Sequence, residues 1–345
     1  MTMTAGTPLE RPGNRAFINA AILIVVGVLA TTLAQPQVMA RLPISNLLKN
    51  ELHLERSATA AFFFLSGLPW YFKPLAGVLT DAFPLFGSRR KSYLLICTMI
   101  AVAAWAALYF TPHIYGRLLW MCILINTFMV GASTVVGAYM VETAQASSGS
   151  GRLTSIRQFV QECCRIVNGP AAGFLGSIAF GWTAVACGSV LFLLVPATLM
   201  LLQEQRTHVD AGRLLANAGV QLGRIGAART MWAAAGLTAL FYIAPGLSTA
   251  LFYRQQNDLH MTTQAQGTLA LVAGIGGICA ALLYSQACRR FRLRGLLTAC
   301  LLAATVGHLM FLFYQTRTHA LLIEAFNGFT FTLAELALMD LAIRA

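Results

Sequence analysis

The sequence predicts an all-α, polytopic membrane protein, a helical bundle of about ten spans in two pseudo-symmetric halves. Three observations predict it. Hydrophobic residues make up 57% of the 345 and charged residues only 10%, where globular chains average about 45–50% and about 25%. Apolar stretches long enough to cross hydrocarbon recur along nearly the whole chain. The basic residues gather on alternate connections between those stretches.

With a mean hydropathy of +0.68, too few charges remain to cover a soluble surface of this size. That disfavours a secreted scaffold, a nucleic-acid binder and a disordered tail. The eight cysteines form no CxxC pair, all lie in apolar stretches, and Cys163 and Cys164 are adjacent. Disulfides and zinc sites need paired, positioned thiols, so these read as small hydrophobes, and neither a metal nor a cofactor is expected.

A hydrocarbon layer of about 30 Å takes roughly 20 apolar residues in a helix. Such stretches lie at 17–39, 57–80, 92–111, 117–140, 154–180, 183–202, 230–252, 265–287, 295–314 and 319–342. The first is too long for a secretory leader and lacks a clear cleavage box, so it is read as a span that stays. Gly169, Gly173 and Ser177, four residues apart, mark a face for close helix packing, and Gly274 and Gly277 suggest another.

With a cytoplasmic N-terminus, sixteen of the 24 Lys and Arg fall in inner connections and six outside, with Lys73 and Arg165 left within spans. The positive-inside rule favours that orientation, and it explains the net charge of +12 without nucleic acid. The protein is therefore expected to be multi-pass in a plasma or inner membrane. The organisation reads as a cytoplasmic N-terminus (1–16), a six-helix half (17–202), a polar cytoplasmic linker (203–228) and a second group (229–345). Six helices, a linker and a second group is a two-repeat transporter layout. Symmetry asks for six helices in the second group, yet only four apolar stretches follow the linker. The chain is either a truncated product, the preferred reading, or an unusual ten-helix form.

Charges inside the spans carry the chemistry, because an intramembrane ion marks a pathway or a paired site. At the helical rise, Lys73 lies about 23 Å along the second span; it belongs to a pathway or is structurally paired. Glu162 and Arg165, spaced i, i+3, share a face about 12 and 17 Å into the fifth span. They neutralise each other or exchange partners. Glu335 lies about 24 Å into the last span, as a proton carrier or as the partner of Lys73 or Arg165. Asp81 closes the second span beside Arg89 and Arg90, where a releasable latch would gate. Pro245-Gly246 and Asn168-Gly169-Pro170 should kink their helices, and His308 reads as packing.

The run from Pro69 to Tyr93 is the most informative. Pro69-Trp70, Lys73-Pro74-Leu75, Gly77, Asp81, Pro84 and Gly87-Ser88-Arg89-Arg90-Lys91-Ser92-Tyr93 together resemble the signature of the folate–biopterin transporter family, a branch of the major facilitator superfamily. Thinner similarity follows at Gly151-Arg152-Leu153-Thr154-Ser155, at Ala250-Leu251-Phe252-Tyr253, at Gly274 to Tyr284 and at Asp340 to Ala345. The chain departs from the family at Gly137-Ala138-Tyr139, where an acid is usual, and at Gln145, where an Arg is usual. The resemblance implies twelve helices, making this a C-terminally short member. It also implies a cytoplasmic ion-pair network that includes Glu142 and Arg152.

What the resemblance implies about function is secondary active transport of folate, pterin or a related organic anion, with the bilayer and a small-molecule substrate as partners. Lys73 and Arg165 would receive the anion, Trp70 would stack on a flat ring, and Glu162 or Glu335 would carry a coupled proton. Asp81, Arg89, Arg90, Glu142 and Arg152 would gate. A transporter of another amphipathic solute, or an inactive truncated form, is the alternative. The chain shows no nucleophile–base set, phosphate loop or metal spacing, so an enzyme is not expected. Oligomeric state is open.

Overall fold

The computed structural model describes the backbone of residues 14–83, 85–88, 90–147, 150–202, 229–243 and 247–344. Within them the fold is helical, and the one bridge, Leu85 to Ser88, is isolated. The expected linker (203–228), the cytoplasmic N-terminus up to residue 13, Arg89, Pro84 and Pro245-Gly246 lie outside the described residues.

Fourteen α-helices follow one another in the described residues. They are α1 (Asn14–Leu33), α2 (Arg41–Asn46), α3 (Arg56–Gly67), α4 (Lys73–Ala82), α5 (Lys91–Phe110), α6 (Tyr115–Ser147) and α7 (Ser150–Leu175). Then come α8 (Phe180–Phe192), α9 (Leu194–Leu201), α10 (Arg229–Ile243), α11 (Ser248–Asn257), α12 (Thr263–Arg290), α13 (Leu293–Leu309) and α14 (Arg317–Arg344). Helical backbone thus occupies each apolar stretch, in one piece or two. Six segments are long and apolar enough to cross a membrane: Lys91–Phe110, Tyr115–Thr143, Phe180–Leu201, Thr263–Cys288, Leu293–Phe313 and Arg317–Leu341. Phe17–Leu33 is apolar but shorter. Large apolar side chains face outward along these helices, with Phe110 at 80% and Trp120 at 71% exposed. Such faces need lipid.

The expected continuous helix over 57–80 is not seen. A 3-10 segment, Leu68–Phe72, separates α3 from α4. Pro69 and Pro74 are the cause, since a proline ring clashes with the preceding turn and has no N–H to donate. Each sits at the second position of a new segment, where that N–H is not required. Pro170, by contrast, lies inside α7, which stays assigned as one helix. All eight cysteines are free.

The small-residue face on α7 is used as anticipated. A Cβ on Gly169 would lie 2.5 Å from the Leu271 nitrogen and 2.6 Å from the Gly267 oxygen, and one on Gly173 would lie 3.0 Å from the Gly267 Cα. So α7 and α12 cross backbone to backbone, a contact that only glycine permits. Gly276 and Gly328 do the same between α12 and α14, against the Ala325 and Ala273 carbonyls. Buried residues between Leu23 and Leu202 form one large cluster around Trp105, Phe62 and Ile125. Two smaller ones lie later, around Ala334 with Tyr284 and around Tyr314 with Leu269.

Candidate functional site

Two cavities flank α7. The first, about 400 Å³, is lined by Trp70, Lys73, Ser133, Arg157 and Gln161 among others. The break after Gly67 builds its polar wall, because α4 starts at Lys73 and turns that side chain towards α6. Lys73 Nζ donates to Ser133 Oγ at 2.9 Å and lies 5.3 Å from the centre of the Trp70 ring. Trp70 Nε1 donates to Asn126 Oδ1 at 3.0 Å, and Asn126 Nδ2 donates to the Ser66 carbonyl at 2.7 Å. Asn126, fully buried, therefore fixes the indole, and the indole and Ser133 hold the ammonium beside the cavity.

Arg165 lies on the same helix but outside the residues lining that cavity. Its Nη2 is 2.8 Å from Glu335 Oε2 on α14, its Nη1 is 3.5 Å from Glu162 Oε1, and Nη1 also donates to Thr332 Oγ1 at 3.4 Å. Glu162 is buried and Arg165 half-buried. Both of the partners considered for Arg165 are thus present at once, and Glu335 is paired with Arg165 rather than left as an isolated acid. One guanidinium thus bridges two carboxylates, one on its own helix and one on α14.

Among the residues expected to gate, Arg90 and Glu142 come together. The Arg90 guanidinium is buried, with Nη2 2.7 Å from Glu142 Oε1 and Nε at 3.3 Å, tying the start of α5 to α6. Tyr93 nearby donates to the Phe83 carbonyl at 2.7 Å. Arg89 and the side chains of Asp81 and Arg152 lie outside the described residues.

The second cavity, about 570 Å³, lies between α7, α12 and α14, and its lining includes Asn168, Gln255, Gln266, His308, Glu324 and Asn327. Sequence reasoning read His308 as packing and Asn168 as part of a kink, and it did not single out Gln255, Gln266 or Asn327. Gln255 Nε2 donates to the Tyr314 hydroxyl at 2.7 Å, which donates to Glu324 Oε1 at 3.3 Å. His308 Nδ1 lies 2.9 Å from the Ala304 carbonyl one turn back, in keeping with packing.

One end of the bundle is closed by hydrogen bonds that the sequence did not disclose. Arg41 Nη2 donates to Ser248 Oγ at 2.7 Å, Lys49 Nζ to Asn257 Oδ1 at 2.5 Å, and Gln256 Nε2 to Asn46 Oδ1 at 2.6 Å. Asn46 Nδ2 in turn donates to Thr263 Oγ1 at 3.0 Å. The Tyr253 hydroxyl donates to the Leu54 carbonyl at 2.5 Å, and so accepts from Thr59 Oγ1 at 2.8 Å. Burial of Lys49 among these groups pushes its ammonium pKa down from the usual lysine value. The one sequence signal was the density of Asn, Gln, Ser and Thr in the segments 41–59 and 248–263.

The BT1 family model matches residues 35–319. Among curated proteins, the chain is 28% identical over 253 residues to a folate-biopterin transporter of Synechocystis, covering 72% of this chain and 51% of that protein. It is 28% identical over 163 residues to a probable folate-biopterin transporter of Arabidopsis thaliana, covering 46% of this chain and 32% of that one. The chain thus spans about half or less of the length of these relatives. Among solved structures, a bacterial homologue of the human lysosomal transporter Spinster, inward-facing and unoccupied, aligns with TM-score 0.63 at 13% identity, over 97% of this chain and 76% of that one. A D-xylose-proton symporter aligns with TM-score 0.61 at 14% identity, over 95% and 85%. At such identities the likeness is one of fold alone.

Proposed function

The chain belongs to the BT1 family, and from that premise we propose that it is a secondary active transporter of folate, pterin or a related organic anion. It works by alternating access and couples transport to protons. The observation that carries this reading is Arg165 held between Glu162 and Glu335. That cluster joins α7 to α14, elements from the early and late parts of the chain, inside the apolar layer.

The mechanism follows from the charges. With Glu335 ionised, Arg165 is held to α14. Protonating Glu335 removes that attraction, so Arg165 turns to Glu162 or to a substrate carboxylate, and the contact between the two parts of the bundle loosens. Lys73, oriented by Ser133 and Trp70, supplies a second positive charge for the anion, and Trp70 offers a ring face to a heteroaromatic group. With the N-terminus cytoplasmic, as the basic residues favour, the end closed by Arg41, Asn46, Lys49 and Tyr253 is the outer one. The described conformation is then the one shut to the outside, and Arg90–Glu142 braces the inner end.

The test is uptake by the purified chain in proteoliposomes. Labelled folate or pterin should accumulate faster with an inward proton gradient, and uptake should fall sharply in Lys73→Ala and in Arg165→Ala. Unchanged uptake in both variants removes these residues from the mechanism.

A further inference from the structure

The cavity between α7, α12 and α14 has a chemistry that the charge-based mechanism does not use. Gln266 is 5% exposed, yet neither its Oε1 nor its Nε2 has a hydrogen-bond partner among the described residues. Asn168 Oδ1 and Asn327 Oδ1 are buried and unpartnered in the same way. All three side chains line the one cavity. Buried amides without partners are costly and rare, and three converging from three helices on one cavity are explained when a bound molecule completes their hydrogen bonds. The rest of the lining is mixed: Phe241 and Phe331, tilted by 34° with ring centres 5.1 Å apart, and Phe311 give an apolar side, while Arg41, tied to Ser248, Thr249, Gln255 and His308 give a polar one. Glu324, oriented by Tyr314, adds a carboxylate.

The geometry points to this cavity as the ring-reading half of the substrate site, with Gln266, Asn168 and Asn327 as the residues that set ring specificity. The inference rests on the transport reading above and divides that substrate in two. Amides both donate and accept, so they suit a neutral heterocycle whose edge alternates N–H and acceptor atoms, while a carboxylate pairs with two adjacent N–H groups. A 2-amino-4-oxo pyrimidine edge carries both patterns, and its face suits packing against a phenyl ring of the apolar side. The acid tail belongs in the other cavity, with Lys73 and Arg157. Both cavities lie along α7. Gln161 lines one and Asn168 the other, and seven residues of helix separate them by about 10 Å. A conjugate with its ring and its acid at opposite ends of a linker reaches both.

Binding to the purified chain by three probes tests this: folate, pterin (a ring without an acid tail) and 4-aminobenzoylglutamate (a tail without the ring). Gln266→Met and Asn327→Leu keep bulk and remove hydrogen bonds. Each should weaken pterin roughly tenfold or more and leave 4-aminobenzoylglutamate within about twofold, which also reports that the variant is folded. Lys73→Met should do the reverse, and folate should weaken in all three. If the unaltered chain binds pterin and both amide variants bind it equally well, the ring sits elsewhere and the inference falls alone. Equal loss of pterin and 4-aminobenzoylglutamate in each amide variant also overturns it, because the site is then not divided. If the unaltered chain binds none of the three probes, the transport reading falls with it.

Discussion

Arg165 on α7 meets Glu335 on α14 across 170 residues of chain, Nη2 to Oε2 at 2.8 Å. Removing one partner of a buried pair strands the other charge, at about 3–5 kcal/mol. The Arg165 side chain is 40% exposed, and solvent screening reduces that figure, so Glu335→Ala should destabilise by about 1–3 kcal/mol. Glu335→Gln keeps an acceptor for the guanidinium and should unfold within about 1 kcal/mol of the original protein. Under the proposed mechanism, the Gln variant nonetheless loses the response of uptake to a proton gradient. Thermal unfolding in detergent and gradient-driven uptake separate the two effects. A Gln variant still driven by the gradient moves proton coupling away from Glu335.

The glycine crossing makes a second prediction, independent of any substrate. Gly169→Ala places a methyl group 2.5 Å from backbone atoms of α12, and backbone cannot move aside as a flexible side chain can. Overpacking of this kind costs about 1–3 kcal/mol, so the melting temperature should fall by several degrees. Gly236→Ala on α10 meets nothing within 4 Å. It should be neutral, or stabilising by up to about 1 kcal/mol through helix propensity. Equal melting temperatures for the two variants would show that α7 and α12 are not in backbone contact.

These two cases mark what sequence could and could not disclose. The apolar stretches were legible because a helix in hydrocarbon must satisfy its own backbone and be greasy over its length. The glycine face was legible for the same reason, since small residues at four-residue spacing have few other uses there. Lys73, Glu162, Arg165 and Glu335 stood out because a charge in such a run is expensive. Their partners were legible only as alternatives, Glu335 with Lys73 or with Arg165, because the choice between them across 170 residues of chain is a tertiary fact. The interruption at Leu68–Phe72 was written in Pro69 and Pro74 and was read as continuous helix only because hydropathy ignores proline. Gln266 and Asn327 were missed because a neutral amide raises no alarm in an apolar run, and its missing partners appear only once the helices are packed. Asn46 and Tyr253 lie in polar connections where hydrogen-bonding residues are ordinary.

The closed end of the bundle gives a prediction about gating. Lys49 and Asn257 touch there, Nζ to Oδ1 at 2.5 Å, from segments that would have to part under the proposed alternating access. A Lys49→Cys, Asn257→Cys double variant joined by a short bifunctional thiol reagent should lose transport, and a cleavable linker should restore it on reduction. Each single variant treated alike is the control for the eight native thiols. Tyr253→Phe, which deletes a hydroxyl bonded to both Leu54 and Thr59, should weaken the same closure by about 1–3 kcal/mol. Faster amide exchange in 248–257 would report it. Full transport in the cross-linked protein would mean that this end stays shut throughout the cycle.

Asn126 supplies the last test, because it acts on the ammonium only through the indole. It is fully buried, accepts from Trp70 Nε1 and donates to the Ser66 carbonyl. Asn126→Leu conserves volume but leaves an indole N–H and a carbonyl without partners, a loss of about 1–3 kcal/mol for each group. The indole is then free to swing from Lys73, whose ammonium lies 5.3 Å from the ring. If Trp70 positions that ammonium for an anion, apparent affinity for folate should fall in Asn126→Leu while binding of pterin, which has no tail, stays close to the original. Asn126→Asp keeps an acceptor for Trp70 but sets an acceptor against the Ser66 carbonyl, 2.7 Å from Nδ2 in the original, so it should not restore the affinity. Unchanged folate affinity in Asn126→Leu would mean that Lys73 is placed by Ser133 alone.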